Sequence, residues 1–319
     1  MRVYVDDKPY PAKNFFRFSK SGLADGELAF VVGNPGSTGR LLTLAQMEFL
    51  RDVGYPAQLA GYQRAIDNFH AVARTDPSAV RRYQNNVFGL ENSRKAVTGY
   101  LAGLTDSANM SAKREFESEF RGRIAADPKM SSEYGGIYDA IAGAQGELAT
   151  FDAARRYHSF GPSLAGGGSR LLAISSQLVR IPSESALPDE KRLAPYRGNA
   201  IATAKAALLQ EVPIDTAYER IALANMFRAA ASELPANDPY LAAALAGRSP
   251  DQAAAALVSG THAGDLAFRR SLLDGGASAV AASTDPMIVL ARKIDPMNRD
   301  VQSHADRLNA VIAANTEKL

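Results

Sequence analysis

The sequence has no cysteine among its 319 residues and no long apolar run. Without cysteine the chain can form no disulfide, no thiolate metal ligand and no cysteine nucleophile. No run of about eighteen apolar residues occurs, so the sequence predicts no membrane span. Residues 1–5 also lack the long apolar core of a signal peptide. The net charge is only +2, which gives no reason to expect capture of nucleic acid or of an acidic membrane.

Motifs that carry hydrolytic or metal chemistry are also missing. The chain has no Gly-x-Ser-x-Gly elbow and no His-Glu-x-x-His motif. A catalytic triad needs a nucleophile, a base and an orienting acid within hydrogen-bonding reach, and no serine here has such a context. The four histidines lie far apart in the sequence: His70, His158, His262 and His304. We therefore expect neither a metal nor a cofactor.

What the sequence does contain is enough apolar material for a large core. Apolar residues make up 46% and charged residues 22%, as is usual for globular domains. The first forty residues alternate short apolar segments with turns, which predicts strands near residues 3–5, 14–18 and 27–32. This order is typical of antiparallel β structure. A strand that begins at the first residues also indicates a chain that starts within a larger fold.

After residue 40 the sequence becomes helical and rich in alanine. We expect helices near residues 44–54, 57–74, 78–103, 111–126, 131–157, 169–179, 187–210 and 215–234. The first should stop at Gly54 and Pro56, because glycine ends helices and proline cannot continue one. Further helices should begin at Ser249, Asp285 and Asp295, each of which precedes a proline. The predicted domains are residues 1–42 and 43–319, with a candidate hinge at residues 160–168.

A glycine cluster lies between the last predicted strand and the first predicted helix. A phosphate-binding loop would need lysine and a hydroxyl residue after its last glycine, whereas here the hydroxyl residues precede it. We interpret the cluster as a tight structural turn in which glycine supplies positive φ. Nucleotide binding stays open as an alternative. The turn residues are Gly33, Asn34, Pro35, Gly36 and Arg40.

A second unusual segment, residues 83–95, places three asparagines and a glycine within a predicted helix. Asparagine and glycine are poor helix formers, so they cost stability there. One explanation is a buried polar network. The other is a ligand site, in which side-chain amide oxygens accept hydrogen bonds from an ammonium group. The residues alone leave both explanations open.

Two segments carry a resemblance to a known family. Residues 27–43, Glu-Leu-Ala-Phe-Val-Val-Gly-Asn-Pro-Gly-Ser-Thr-Gly-Arg-Leu-Leu-Thr, resemble the strand-and-turn signature of the bacterial serine dipeptidyl-peptidases of the seven and eleven type. Residues 285–291, Asp-Pro-Met-Ile-Val-Leu-Ala, resemble a late helical element of that family. The asparagine segment falls between them, where the family has a comparable helix. The resemblance extends over essentially the whole chain.

This resemblance implies a chymotrypsin-like double β-barrel with a large helical domain inserted in it. Such enzymes remove dipeptides from free peptide N-termini, and the helical domain caps the active-site cleft. The family's histidine and aspartate precede the segment that this chain resembles, and its serine, in a Gly-Asn-Ser-Gly-Ser-Pro type motif, follows it. No catalytic residue can therefore be assigned, and we expect the chain alone to be inactive.

One functional residue can be carried over from the resemblance. The family holds the substrate's α-ammonium with an asparagine of the helical domain. Asn86 is the best match, on the frame formed with Tyr83 and Gly89, while Asn92 and Asn85 are alternatives. The expected fold is mainly α, a multi-helix domain preceded by a short antiparallel β segment of an incomplete barrel.

The resemblance also implies partners and a location. The partners are the N-terminus of a peptide substrate and the remaining barrel portions of the same polypeptide, and a homodimer is kept open. The family is exported to the periplasm or the cell surface. The alternative from another class is a non-catalytic helical binding or scaffolding protein. That alternative predicts that Asn85, Asn86 and Asn92 do not line one concave surface.

Overall fold

Internal contacts divide the protein into two units, Met1–Leu41 and Leu42–Leu319. The structure is a computed structural model and describes residues 3–33, 39, 41–160 and 166–319. Within these ranges, no helix combines the length and the apolar character that crossing a membrane requires.

The first unit contains a short antiparallel hairpin. Its strands are β1 (Tyr4–Val5) and β2 (Lys8–Pro9). The two turn residues, Asp6 and Asp7, have φ angles of 52° and 57°. A two-residue hairpin turn of type I′ has positive φ at both positions and matches the twist of its strands, and aspartate tolerates that region better than most residues.

The other two strands predicted for this unit are wrong. Residues 14–18 and 27–32 form no strand, and their apolar side chains are exposed. Phe16 and Val32, for example, are each 100% accessible. A strand needs a partner for its N–H and C=O groups, and the described residues of this unit supply none for these segments. The sequence pattern predicted strands here because it does not show whether a neighbouring strand is available to pair with them.

The described part of the second unit forms fourteen α-helices. The mainly α fold with a short antiparallel β segment is thereby confirmed. Two 3-10 turns, Asp189–Lys191 and Ala194–Tyr196, lie in the first half of the helix predicted over residues 187–210, so that prediction holds only for its second half. The helices are α1 (Leu44–Phe49), α2 (Tyr55–Thr75), α3 (Ser78–Thr105), α4 (Ser107–Ala126), α5 (Pro128–Tyr134), α6 (Ile137–Thr150), α7 (Asp152–Tyr157), α8 (Arg170–Ser185), α9 (Ala200–Leu208), α10 (Thr216–Glu233), α11 (Pro239–Leu245), α12 (Pro250–Gly260), α13 (Leu266–Ala282) and α14 (Pro286–Thr316).

Helices α1 and α2 are joined by a π turn, Leu50–Gly54, rather than by a break. The N–H of Tyr55 donates to the carbonyl of Leu50, five residues back. This wider turn carries the chain past Pro56, which has no N–H to donate. The predicted stop at Gly54 is therefore wrong.

The single helix predicted over residues 131–157 is in fact three helices. Gly135 and Gly136 separate α5 from α6. Phe151, with φ of −125° and ψ of 20°, separates α6 from α7. Paired glycines cost about 1 kcal/mol each in a helix interior, which is enough to favour a turn where packing does not oppose it.

Local capping signals place two of the predicted helix starts correctly. The Asp285 carboxylate accepts hydrogen bonds from the N–H groups of Met287 and Ile288, at 3.0 and 3.2 Å, and begins α14. Ser249 and Gln252 form a reciprocal capping box at the start of α12. Each cap satisfies N–H groups that have no partner within the helix.

The helix start predicted at Asp295 is wrong, because α14 continues through Pro296. The Asp295 carboxylate instead accepts from Nε of Arg180 at 2.6 Å and from Nε of Arg299 at 2.7 Å. These ion pairs occupy the side chain that would have capped a new helix. An interior proline costs about 3 kcal/mol, and the buried face of α14 offsets that cost.

Two hydrophobic clusters hold the helices together. The larger cluster is formed mainly by α8 and α10–α14, and its centre includes Leu172, Phe227 and Ile288, each 0% exposed. The smaller cluster joins α2, α3 and α10 through Phe69, Tyr83 and other side chains. Helix α10 contributes to both clusters, so it links α2 and α3 to the main core.

Candidate functional site

Helix α3, which carries the asparagine segment, packs along one narrow stripe. Of its 28 residues only four are buried: Ala79, Tyr83, Leu90 and Val97. Their spacing of four and seven residues places them on one side of the helix. Most of the remaining surface of α3 is open.

An aromatic cluster fixes the first turns of α3. The ring of Phe69 lies 4.7 Å from that of Tyr83 and 4.7 Å from that of Tyr218, on which it stacks at 17°. Tyr83 and Tyr218 are 5.3 Å apart. Aromatic pairs at these separations stabilise by about 0.5–1.5 kcal/mol beyond the area they bury. The cluster therefore fixes the position of the backbone just before the asparagines.

Asp215 connects α3 to the N-terminus of α10. Its carboxylate caps α10 and also accepts from the hydroxyl of Tyr83 at 3.0 Å and from Arg82 at 2.6 Å. Burial of the Tyr83 phenol, followed by its bond to Asp215, raises its pKa to about 12. The phenol therefore remains protonated and donates this hydrogen bond throughout the physiological pH range.

The three candidate asparagines do not share one face of α3. Asn86 is half-buried at the edge of the packed stripe, whereas Asn85 and Asn92 are exposed. With about 100° between successive residues, Asn85 and Asn92 lie about 20° apart, and Asn86 lies at least about 100° from either. The structure thus separates Asn86 from the two alternatives. A single ligand atom would contact either Asn86 or the pair Asn85 and Asn92.

Glycines widen the open side of α3 that Asn85 and Asn92 occupy. Gly89, Gly99 and Gly103 lie on this side, and a Cβ added at any of them would meet no atom within 4 Å. Packing within the described residues therefore does not require glycine here. Each glycine still costs about 1 kcal/mol relative to alanine in a helix interior.

A buried carboxylate positions the start of α8, next to residues 166–168. Glu219 is 2% exposed and accepts hydrogen bonds from the Ser169 hydroxyl and from the N–H groups of Arg170 and Leu171. Burial raises the pKa of this carboxyl, although the three hydrogen bonds oppose the shift. The bonds tie α8 to α10 and fix the chain that leaves the glycine-rich segment.

Two of the histidines make contacts of different kinds with distant residues. His158 is buried, and its Nε2 lies 2.8 Å from an oxygen of Asp238. His304 stacks on Phe151 at 4.5 Å. In the described part of the chain, no group of three or more metal-binding side chains could hold a metal ion.

The predicted glycine turn lies mostly outside the described residues. Gly33 is described and exposed, and a Cβ there would meet nothing within 4 Å. Asn34, Pro35, Gly36 and Arg40 fall outside the described ranges. The same holds for residues 161–165 of the candidate hinge, so the turn and the hinge stay predictions.

Sequence reasoning did not identify a cavity beside α2. It lies between α2, α7, α10 and residues 166–168, and its polar lining includes Arg64 and Asn68. A signal was present, because Gly61, Arg64 and Asn68 are spaced by three and four residues and so share one helix face. The other walls come from distant parts of the chain, which no local pattern could have brought together.

Comparison with known proteins gives a consistent result across sequence and structure. A family model described as peptidase S46 matches residues 1–319. The Asp/Glu-specific dipeptidyl-peptidase of Shewanella putrefaciens is 26% identical over 303 residues, which cover 91% of this chain and 39% of that protein. Dipeptidyl-peptidase 7 of Capnocytophaga gingivalis is 26% identical over 134 residues, 42% of this chain and 19% of that protein.

A solved structure resembles the fold over nearly the whole chain. The crystal structure of Porphyromonas endodontalis DPP11 in complex with the dipeptide Arg-Glu superposes with a TM-score of 0.66 at 16% identity, covering 98% of this chain and 44% of that one. At this identity the likeness establishes the fold. The chain spans less than half the length of these relatives.

Proposed function

The chain belongs to the peptidase S46 family, and from this premise we propose that it is the helical part of a serine dipeptidyl-peptidase that releases dipeptides from peptide N-termini. The observation that carries the proposal is the family match over residues 1–319. In this proposal the helices cap the active site, and the catalytic triad is not among the residues of this chain. A periplasmic or cell-surface location belongs to the same proposal.

Asn86 is the residue that we propose for the substrate's α-ammonium group. Its half-buried position favours this role, because the packed side limits its motion while the other side remains open to a ligand. Tyr83, three residues earlier, is fixed by the aromatic cluster and by Asp215. An amide oxygen held in this way accepts a charge-assisted hydrogen bond from an ammonium group and sets its distance to the scissile bond.

The exposed apolar segments of the first unit support the remaining part of the proposal. Residues 14–18 and 27–32 expose several aromatic and branched side chains, and Phe18 and Val31 are 99% and 97% accessible. Exposed apolar surface of this kind marks a site that another surface covers. We propose that barrel portions of the same polypeptide cover it.

The first experiment tests for turnover. The 319-residue chain is incubated with dipeptidyl chromogenic substrates, including one with glutamate in the second position. We expect no release of chromophore, because the proposal places the nucleophile outside this chain. Turnover that a serine-directed inhibitor abolishes would show that the chain carries its own triad.

The second experiment tests recognition of the free N-terminus. Binding of a short peptide is compared with binding of the same peptide after N-acetylation. The free amine should bind about tenfold more tightly, since a hydrogen bond to a charged group contributes about 1.5–3 kcal/mol. Asn86→Ala should remove most of this preference, while the matched variant Asn85→Ala should retain it. If Asn85→Ala alone loses the preference for the free amine, the α-ammonium group binds at Asn85 on the open side of α3 and not at Asn86.

A non-catalytic helical binding protein is the second candidate function. The observation that favours it is the separation of Asn85 and Asn92 from Asn86 around α3, because the asparagines then form no single recognition surface. This candidate predicts equal affinity for free and acetylated peptides. The same binding experiment therefore decides between the two functions.

A further inference from the structure

The cavity beside α2 has the shape of a small-molecule site. Its volume is about 270 Å³, room for about nine water molecules at ~30 Å³ each. Small and apolar residues line most of it, among them Gly61, Ala65, Ala222 and Met226. An apolar lining with a few polar groups is typical of sites that bind an organic ligand, and this volume lies just below their usual range of about 300–1,000 Å³.

Close packing gives the cavity a fixed wall. Gly167 has φ of +82°, and a Cβ there would lie 2.2 Å from the Cβ of Ala65. Only glycine therefore lets this backbone lie against α2. The side chain of Asn68 donates to the Gly167 carbonyl at 3.5 Å and accepts from Asn225 at 2.5 Å. These contacts fix the position of the wall, and neither of them involves the guanidinium group of Arg64 or Arg156.

Positive charge is in excess along the lining. Arg156 is paired with Asp152 at 2.7 Å and with Glu233 at 2.6 Å, and Asp152 also pairs with Arg155 at 2.6 Å. Arg64 lies near Glu233, but no carboxylate of the described residues is within ion-pair distance of it. Of the two arginines that line the cavity, Arg156 is therefore ion-paired and Arg64 is not.

Glu233 is ionised in this arrangement. Its partial burial would raise the pKa, but hydrogen bonds from Tyr157 and Arg156 and the positive charge of Arg156 and Arg64 lower it overall. At neutral pH Arg64, which is half-buried, therefore carries the one positive charge of the described lining that no carboxylate pairs.

We propose that this cavity binds a small organic carboxylate, with its apolar body against Gly61 and Ala65 and its carboxylate on Arg64. The apolar lining provides the driving force for the body of the ligand. The guanidinium group of Arg64 provides a charge-assisted hydrogen bond for the acid group of the ligand. The inference does not depend on peptidase function, because no residue of the cavity is among those proposed to recognise the substrate.

The test uses a pair of probes that differ only in charge, 4-phenylbutyrate and 4-phenylbutyramide. Each is titrated calorimetrically into the 319-residue chain. The carboxylate should bind with one-to-one stoichiometry and about tenfold more tightly than the amide. Arg64→Gln should abolish this difference, and Arg74→Gln, an exposed arginine of the same helix, should preserve it. Equal affinity of the two probes for the unmodified chain would overturn the proposal.

A blocking variant shows whether the probe occupies the cavity itself. Gly61 lines the cavity, and a Cβ added there meets no atom within 4 Å, so Gly61→Leu should fold and project its side chain into the space. We expect Gly61→Leu to weaken the binding of both probes at least tenfold. Gly143→Leu, at an equally open position on α6, should leave their affinities unchanged. Binding that survives Gly61→Leu would place the probe elsewhere, for instance on the exposed apolar segments, and would contradict the assignment.

Discussion

Helices α3 and α8 belong to the same unit but use their residues in opposite ways. Of the 16 residues of α8, ten are buried, whereas α3 buries only four of its 28. Helix α8 even accommodates Pro182 in its interior. The core that surrounds α8 therefore stabilises a helix despite an unfavourable residue, while α3 is attached to the molecule along a single stripe.

The difference shows where packing determines the sequence and where it does not. In α8, packing against neighbouring helices determines which residues occupy the buried positions. On the open side of α3, Gly89 and Asn92 have poor helix propensity, and no contact within the described residues requires them. Residues that cost stability without a packing reason are expected at functional surfaces. The predictions below test this contrast, beginning with the largest effect.

The first prediction compares two phenylalanines, one from each region. Phe227 is 0% exposed in the main core, and Phe88 is 60% exposed on α3. Phe227→Ala should lower the free energy of unfolding by about 3–5 kcal/mol, since it removes buried surface and leaves a cavity. Phe88→Ala should change it by less than about 0.5 kcal/mol. Urea denaturation measures the unfolding free energy of both variants. Similar losses in the two would contradict the contrast between the main core and α3.

The second prediction concerns the buried carboxylate that joins α8 to α10. In Glu219→Gln the amide NH2 group would face donors that now contact a carboxylate. We expect a loss of about 1–3 kcal/mol, the cost of leaving buried donors unsatisfied. No comparable loss is expected from a glutamate on the surface of α3, such as Glu91, and thermal unfolding of Glu219→Gln and Glu91→Gln would check this.

The same carboxyl gives the core a pH dependence that the variant lacks. Its folded pKa is raised above the unfolded value near 4.5, so the stability it contributes is complete below the unfolded pKa and declines as pH rises through the folded pKa. Glu219→Gln does not titrate at this position. The difference in unfolding free energy between wild type and variant should therefore be widest at acidic pH and narrow as pH rises. A gap that widens with pH would contradict the direction of this shift.

The third prediction tests the attachment of α3 to the core. Tyr83→Phe keeps the aromatic cluster but removes the hydroxyl that donates to Asp215. The expected loss is about 1 kcal/mol, the usual net value of such a hydrogen bond. Hydrogen exchange of α3 amides should accelerate more than that of α8 amides, because the change loosens one attachment point and not the core. Equal acceleration in both helices would indicate that they unfold together.

Much of this architecture could be predicted from local signals in the sequence. The start of α14 at Asp285 and that of α12 at Ser249 depend on caps a few residues long, and both were predicted correctly. The start predicted at Asp295 failed because the carboxylate of Asp295 binds Arg180, which lies on the distant helix α8, as well as Arg299 one turn later on α14. Strands at residues 14–18 and 27–32 failed for a related reason, since a strand requires a partner that no local pattern supplies.

For the candidate site too, some features could be predicted from the local sequence, whereas others depend on contacts between distant segments. The unusual asparagine segment was visible in the sequence because glycine and asparagine oppose helix formation there. Which asparagine lies next to the packed stripe depends on α2 and α10, and therefore on the fold. The cavity at Arg64 requires four separate segments, so only the structure could reveal it.

The last prediction has the smallest effect on stability and tests the contrast most directly. Gly89→Ala and Gly99→Ala add a Cβ to the open side of α3, where it meets no atom within 4 Å. Each should raise the free energy of unfolding by about 0.4–1 kcal/mol, because alanine loses less conformational freedom than glycine on folding. Thermal unfolding measures the gain, and a loss of stability would mean that packing does require glycine at these positions.

The same two variants separate stability from function on α3. Gly89 lies three residues after Asn86, in the frame that the family resemblance assigns to substrate recognition, whereas Gly99 lies three turns further along. If glycine is kept there so that a ligand can approach the helix closely, Gly89→Ala should weaken peptide binding while it stabilises the fold, and Gly99→Ala should only stabilise. Such a divergence is the expected sign of a residue retained at a cost to stability. Equal peptide binding by both variants would instead mean that the open side of α3 near Gly89 does not contact the substrate.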